Sequence, residues 1–267
     1  MAVFTRESES VFIPSEVAAG PWDPNAQHGS APASLIARAV EKALTNPDML
    51  ITRVTIDLMR PVPLQPMTVT TKVLREGRQI QVFEISIEAG GHLCVRGQAL
   101  AIKKSAEAVP DVADVPAVDY PDPETCTRLP MRFNQGFSQA FEMRNISGMF
   151  GTPGGLTNWL HFTMPFVEGE ETSPLVRAVA TGDFTNGSAS AMGPEWTFIN
   201  ADLSIDLIRY PRGEWIALKT RFWASGDGMG MSQGELADSE GVFASSRAHL
   251  VLRKLDGGTN GFPNRPG

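Results

Sequence analysis

The chain has 267 residues, a formal net charge of −7 and a sequence pI near 5.2. This acidic balance argues against nucleic acid or an anionic membrane as a main partner, because both bind basic surfaces. The sequence contains no apolar run long enough to span a membrane and no N-terminal signal-peptide pattern, so we expect a cytoplasmic protein without a membrane partner. Cys94 and Cys126 lack metal-ligand spacing and are expected to be unpaired, structural thiols.

The first half predicts a short strand at 10–13, a turn-rich loop from Gly20 to His28, a helix and an antiparallel meander. Ser30 is placed to cap the helix and Pro32 suits its first turn, and apolar residues recur at helical spacing until Asn46. Three or four strands follow, around 50–60, 67–74, 79–88 and 92–103.

Residues 105–130 contain five prolines and six acidic residues, which predicts a semi-extended linker. The second half then repeats the order of the first. It predicts strands at 132–146 and 156–166, a helix capped by Ser173, and strands at 198–208, 214–224, 230–236 and 242–253. The tail, 256–267, is rich in Gly and Pro and is expected to be flexible.

Two segments nearly repeat each other: VTIDLMR at 54–60 and LSIDLIR at 203–209, about 150 positions later. In both, apolar residues alternate with hydroxyl or acidic residues, which is the period of a half-buried strand. The repetition predicts a duplicated α+β fold with two antiparallel sheets, each wrapped around a helix. The predicted units are an N-terminal domain at 1–104, the linker at 105–130, a C-terminal domain at 131–255 and the tail.

Asp183 is the candidate general base. It follows Leu175, Val176 and Val179 at spacings that place it on the apolar face of the second helix. Burial there would raise its pKa toward the range useful to a base. The alternative is structural: Asp183 ends the helix and hydrogen-bonds with Asn186 or a nearby turn.

The start of the first helix is the second candidate. His28, Gly29 and Ser30 lie where free N–H groups and the positive end of the helix dipole can polarise a carbonyl or hold an anion. The alternative is an ordinary Ser cap preceded by a Gly in a turn. The four histidines are scattered without other ligands at metal spacing, and no nucleotide-binding motif is present, so no metal or cofactor is predicted.

Three segments together resemble one family: GPWDPNAQHGSAPASLIARAVEK at 20–42, GDFTNG at 182–187 and WTFINADLSIDLIRYPRGEW at 196–215. They are similar to acyl-CoA thioesterases of double-hotdog fold, in particular the bacterial type II group. The resemblance implies two hotdog domains, hydrolysis of an acyl-CoA to a free acid and CoA without a cofactor, a role in lipid metabolism, and a homodimer or higher homo-oligomer.

The resemblance also implies a catalytic Asp, Thr and Gln that hold the attacking water. The Asp position falls on Asp183, the Thr position on Asn200 and the Gln position on Ala248. Gln98 occupies the place equivalent to Ala248 in the first repeat and is a candidate to supply the missing amide. The predicted catalytic residues are thus Asp183 and Asn200, and the substrate-binding residues are His28, Gly29, Ser30, Gln98 and Asn186.

Two other functions have some support in the sequence. A hotdog enoyl-CoA hydratase would need an Asp and a His close together, but Ser188 rather than His follows Asp183 on the helix. A non-catalytic acyl-CoA binding or regulatory module is favoured by Ala248, whose side chain can neither donate nor accept a hydrogen bond.

Overall fold

The computed structural model describes residues 1–107, 116–131, 133, 135–193 and 195–255. The tail predicted at 256–267 and the middle of the predicted linker, 108–115, lie outside the described residues. The strands are β1 (Phe4–Arg6), β2 (Val11–Pro14), β3 (Met49–Leu58), β4 (Met67–Glu76), β5 (Ile80–Ala89), β6 (His92–Lys103), β7 (Thr127–Leu129), β8 (Phe141–Ser147), β9 (Thr157–Phe162), β10 (Trp196–Asn200), β11 (Asp202–Leu207), β12 (Trp215–Ala224), β13 (Met229–Asp238) and β14 (Gly241–Lys254). The helices are α1 (Ser30–Ala43) and α2 (Pro174–Ala189).

The strands form one continuous antiparallel sheet in two halves. Its order is β1-β2-β4-β5-β6-β3-β11-β14-β13-β12-β9-β8-β7, and β10 pairs with the end of β14. The strands of the first half pack on α1, and those of the second half pack on α2. The predicted α+β double-hotdog fold is therefore confirmed, with the two sheets joined edge to edge through β3 and β11.

The junction between the halves is made by the two repeated segments themselves. Val54 lies opposite Ile205, and Ile56 lies opposite Leu203. Thr55 pairs with Ser204, its own equivalent in the repeat, so this pair marks an approximate twofold axis. The axis brings α1 and α2 together at the centre of the molecule, where they contact each other.

Burial differs between the two helices. α1 has the apolar stripe that its sequence predicts, with Leu35, Ile36 and Val40 fully buried. Nearly every residue of α2 is buried, polar ones included, because it packs against both α1 and the second half of the sheet. Gly182 allows α2 to lie close to the sheet, since a Cβ at that position would collide with the side chain of Ile205 on β11.

Three local predictions are wrong. Residues 136–140 form a 3-10 turn, so the strand predicted at 132–146 is found from Phe141 onward, while Arg132 and Asn134 lie outside the described residues. The strand predicted at 198–208 is broken at Ala201 into β10 and β11, because the Ala201 N–H bonds to the His249 carbonyl while the Asp202 carboxylate accepts the His249 N–H at 2.6 Å. Thr127–Leu129, within the predicted linker, forms β7 and pairs with β8.

Candidate active site

Asp183 lies where the N-terminus of α1 meets the middle of α2. The Ser173 hydroxyl accepts the Val176 N–H at 3.1 Å and caps α2, as the sequence predicts. The helix places the Asp183 side chain beside the N-terminus of α1, where only 4% of the residue is exposed. A buried carboxylate needs partners, and Asp183 has three.

The three partners come from both halves of the chain. The Ser30 hydroxyl donates to Asp183 Oδ2 at 2.7 Å, and Asn200 Nδ2 donates to Asp183 Oδ1 at 2.7 Å. His28 Nδ1 lies 3.2 Å from Asp183 Oδ2. Burial raises the pKa of Asp183, but the interactions with His28, Ser30 and Asn200 together outweigh it, and the net pKa is lowered. The expectation of a raised pKa is therefore wrong: Asp183 is held as an ionised hydrogen-bond acceptor.

Asn200 is itself held in place by a second amide. Asn186 Nδ2 donates to Asn200 Oδ1 at 2.7 Å and to the Phe198 carbonyl at 2.7 Å. Because carboxylate and carbonyl oxygens only accept, these bonds fix which end of each amide is nitrogen. A directed chain of donors therefore runs from Asn186 through Asn200 to Asp183. The structural alternative proposed a hydrogen bond between Asp183 and Asn186, but the Asn186 amide is linked to Asp183 through Asn200.

His28 is held by stacking as well as by hydrogen bonds. Its ring stacks against both Phe137 and Phe184, with ring centroids 5.5 Å and 5.1 Å away, and the two Phe rings are themselves 6.3 Å apart. The Ser30 N–H donates to His28 Nδ1 at 3.1 Å. One ring nitrogen cannot accept from Ser30 and donate to Asp183 at the same time. The protonation of Nδ1 therefore decides which of the two neighbours it binds.

Gly29 immediately precedes α1 and lies against the carboxylate. It occupies the N-cap position with φ −52° and ψ −35°, and Ser30 is the first helical residue. The prediction that Ser30 caps this helix is wrong, because its hydroxyl is used by Asp183. A Cβ at Gly29 would lie 3.2 Å from Asp183 Oδ2 and 3.3 Å from Oδ1. Among the described residues, none accepts a hydrogen bond from the Gly29 N–H.

Gln98 is not brought to this site. Its neighbours Gly97 and Ala99 face the helix, since a Cβ on Gly97 would lie 2.9 Å from the Ile36 side chain and Ala99 is fully buried. Gln98 therefore points to the opposite face of the sheet, where it pairs with Thr55 and Glu84. The proposed replacement of the missing amide by Gln98 is wrong.

Ala248 does face the interior of the second half. It lies in a small apolar cluster with Phe198, Leu250 and Leu252, which is separate from the main core. Trp22, from the loop before α1, packs edge-on against Phe198 with ring centroids 4.9 Å apart. The loop composition predicted turns at this position but gave no indication that its Trp would pack against this cluster.

The described part of the chain holds neither a metal-binding cluster nor a membrane-spanning helix. No group of three or more His, Cys, Asp or Glu side chains is arranged to bind a metal ion. Neither of the helices within these ranges has the length and apolar character needed to span a membrane.

Comparison with known proteins identifies both halves. The model of the acyl-CoA thioesterase N-terminal domain matches residues 18–102, and that of the C-terminal domain matches residues 113–252. No curated protein sequence gives a significant match.

Solved structures share the fold at low sequence identity. The acyl-CoA thioesterase II TesB2 of Mycobacterium marinum is 15% identical with a TM-score of 0.68, covering 95% of this chain and 97% of its own. The TesB protein of Mycobacterium avium subspecies paratuberculosis is 14% identical with a TM-score of 0.70, covering 94% and 95%. The 12:0-ACP thioesterase of Umbellularia californica is 8% identical with a TM-score of 0.52, covering 91% and 93%.

Proposed function

Because this chain belongs to the acyl-CoA thioesterase family and is a thioester hydrolase, we propose that it hydrolyses an acyl-CoA with a water molecule that Asp183 orients. The observation that carries the proposal is the contact between the two halves. The buried carboxylate of Asp183 lies against Gly29, a partly exposed residue at the start of α1. A base therefore lies next to a backbone N–H that can donate a hydrogen bond to a developing oxyanion.

Asp183 has room for a water among its acceptor sites. An ionised carboxylate offers about four lone-pair positions. Ser30 and Asn200 each occupy one, and His28 is within reach of another. The lowered pKa keeps Asp183 ionised at neutral pH and makes it a weak base. Its main contribution is therefore to align the water, and it takes the proton as the new C–O bond forms.

The remaining steps follow from the same groups. The water oxygen attacks the thioester carbonyl, whose oxygen becomes negatively charged, and the Gly29 N–H is free to stabilise that charge at the positive end of α1. The carbon–sulfur bond then breaks, and the proton held by Asp183 passes to the CoA sulfur. One acyl-CoA and one water thus give one carboxylic acid and one CoA thiol, with no covalent enzyme intermediate.

The test is release of free thiol from acyl-CoA substrates of different chain length. Asp183→Asn keeps the shape of the side chain and removes its charge, and we expect kcat to fall by at least about 10²-fold. Asp206→Asn, an exposed Asp on β11, is the matched control and should retain full activity. Full activity in Asp183→Asn would remove Asp183 from the mechanism. Binding of acyl-CoA without thiol release would instead favour the binding or regulatory module.

One observation favours a second function, an enoyl-CoA hydratase. The sequence places no His beside Asp183 on α2, but the fold brings His28 Nδ1 to 3.2 Å from Asp183 Oδ2. An acid–base pair of this kind could add water across the double bond of an enoyl-CoA. Formation of hydroxyacyl-CoA with the thioester intact would support the hydratase. Release of thiol from the same substrate without hydration would exclude it.

The homodimer or higher oligomer and the cytoplasmic location, both expected from the sequence and its resemblance, stay predictions.

A further inference from the structure

An open groove of about 390 Å³ lies at the end of the first half of the sheet, beside the turn between β5 and β6. Its polar side chains are those of Arg60, Gln65 and His92, and none of its lining residues is acidic. The whole chain, in contrast, has 30 acidic and 23 basic residues. The groove therefore offers a positive charge to a ligand without a competing carboxylate in its wall.

The guanidinium of Arg60 is accessible to such a ligand. Arg60 is exposed, and among the described residues none forms an ion pair or hydrogen bond with its side chain. Its charge acts within the groove, because burial raises the pKa of the Cys94 thiol and Arg60 opposes that rise. Its backbone N–H donates to the Cys94 carbonyl at 3.2 Å, which holds Arg60 at the wall of the groove. A guanidinium without a carboxylate partner is suited to phosphate, since its N–H groups match two phosphate oxygens.

The segment that carries Arg60 runs alongside the start of α1. At one end of this segment, Leu58 Cδ1 would lie 3.5 Å from a Cβ on Gly29. At the other end, the Val62 carbonyl accepts the Gln27 N–H at 2.8 Å. Arg60 lies between these two contacts in the chain. The groove therefore adjoins the part of the site where Gly29 meets the Asp183 carboxylate.

The separation between Gly29 and the groove fits the length of CoA. The Cα atoms of Leu58 and Arg60 are at most about 7 Å apart, since only two residues of chain join them. The phosphates of an acyl-CoA lie at the far end of its pantetheine arm, which is about as long as four residues of extended chain, roughly 13 Å. Gly29 and Leu58 are partly exposed and Met59 is exposed, so the surface between the two points is accessible. A thioester at Gly29 can therefore place its phosphates at Arg60.

A second groove, on the second half of the sheet, does not fit this ligand. It contains Lys219 and Arg221, but Asp206 and Glu235 line it as well and would repel a phosphate. It also lies on the wrong face of the sheet. Glu235 points away from α2, because a Cβ on the preceding Gly234 would meet a side chain of that helix.

We propose that the groove at Arg60 binds the phosphate groups of the CoA moiety, with Arg60 as their ion-pair partner and the side chains of Gln65 and His92 as further donors. This inference rests on the proposed thioesterase function and adds a binding site for the end of the substrate that is remote from the thioester. Arg60 is a binding residue in this scheme and has no part in the chemical step.

The test compares kcat/KM for an acyl-CoA and for the same acyl group on pantetheine, which lacks the phosphates and the nucleotide. We expect Arg60→Gln to lower kcat/KM for the acyl-CoA by about tenfold, as for loss of one charge-assisted hydrogen bond. The fall should be absent with acyl-pantetheine. Added salt should raise the wild-type KM for the acyl-CoA more than for acyl-pantetheine, because it screens the ion pair.

Arg75→Gln is the matched control. Arg75 is also an exposed Arg, but it lies near the end of β4, beside the turn between β4 and β5 and so at the opposite end of β5 from the groove. This variant should match the wild type with both substrates.

Three results would overturn the proposal. They are an unchanged kcat/KM for the acyl-CoA in Arg60→Gln, an equal fall with both substrates, and binding of ATP, which has no pantetheine arm, as tightly as CoA. Failure of the proposed function is distinguishable, because then neither substrate releases thiol. Titration calorimetry with CoA itself then tests the groove without catalysis, and Arg60→Gln should raise the Kd about tenfold. Equal Kd values for the wild type and Arg60→Gln would reject the phosphate site.

Discussion

Asn200 on β10 donates from Nδ2 to Asp183 Oδ1 on α2 at 2.7 Å, and this bond ties the sheet to the helix at the site. Asn200 is the last residue of β10, and Ala201 separates it from β11, the strand that joins the two halves of the sheet. Its amide oxygen is occupied by Asn186, so its nitrogen is directed at the carboxylate. Asn200 therefore helps to fix both the orientation and the charge of Asp183.

The first prediction concerns Asn200→Ala. Loss of this donor raises the pKa of Asp183, since Asn200 is one of the groups that lower it. We expect kcat to fall about 10²-fold, as for loss of one preorganised donor. The acidic limb of the pH–kcat profile should move to higher pH, because the carboxylate now takes up a proton sooner as pH falls. Asn200→Thr supplies a hydroxyl donor and should recover part of the rate. An unchanged acidic limb in Asn200→Ala would contradict this role.

Gly29→Ala tests the space beside the carboxylate. The backbone of Gly29 is helical, so Ala is not strained there, but its Cβ would lie within 3.3 Å of both Asp183 oxygens. We expect kcat/KM to fall roughly 10- to 10²-fold with little change in Tm, because the methyl group displaces the water. Gly187→Ala on α2 is the matched control, since a Cβ there meets nothing within 4 Å. It should keep full activity and add about 0.5–1 kcal/mol of stability. Equal activity of the two variants would show that the water does not lie against Gly29.

His28→Phe separates the ring of His28 from its nitrogen. Phe retains the stacking on Phe137 and Phe184 but removes the interaction that lowers the pKa of Asp183 most. We expect the acidic limb of the kcat/KM profile to shift to higher pH by more than in Asn200→Ala. His161→Phe is the control, because His161 also contacts an aromatic ring, Trp215, but lies on β9. A pH profile of His28→Phe that matches the wild type would exclude the electrostatic role of His28.

The sequence predicted those features that depend on one strand or helix. The alternation of apolar and polar residues predicted the bounds of most strands to within a few residues. Ser173 marked the start of α2 correctly, because its hydroxyl caps an N–H only three residues away. The repeat of 54–60 at 203–209 predicted the duplication, although not that the two segments pair with each other. That pairing depends on the relative position of the halves, which no periodicity records.

The site was predicted less completely for the same reason. Asp183 was found from helical spacing, but its pKa moved opposite to expectation because three polar side chains, His28, Ser30 and Asn200, reach it from elsewhere in the fold. Ser30 looked like a cap, since its hydroxyl has no local competitor in the sequence; the competitor, Asp183, lies 153 residues away. Gln98 matched the repeat register, yet β6 turns it to the outer face, because alternation assigns Gly97 and Ala99 to the helix side.

The last prediction concerns stability at a buried ion pair away from the site. Asp238 is fully buried and accepts two hydrogen bonds from the Arg209 guanidinium, besides the N–H groups of Arg212 and Glu240. Burial raises the pKa of Asp238, but the Arg209 hydrogen bonds and the two backbone donors outweigh it and lower the net pKa. Asp238→Ala leaves the guanidinium without its carboxylate, and we expect a loss of about 3–5 kcal/mol in the free energy of unfolding.

The pH dependence of this loss follows from the lowered pKa of Asp238. Its contribution is fully present above the pKa of an unfolded Asp and is lost as pH falls through the folded value. Urea unfolding of the wild type and Asp238→Ala over a series of acidic pH values should therefore show the difference shrinking as pH decreases. Asp206→Ala, which removes an exposed carboxylate on β11, should change stability by less than about 0.5 kcal/mol at any of these pH values. If the difference in free energy of unfolding between wild type and Asp238→Ala did not change with pH, Asp238 would act through packing rather than through its charge.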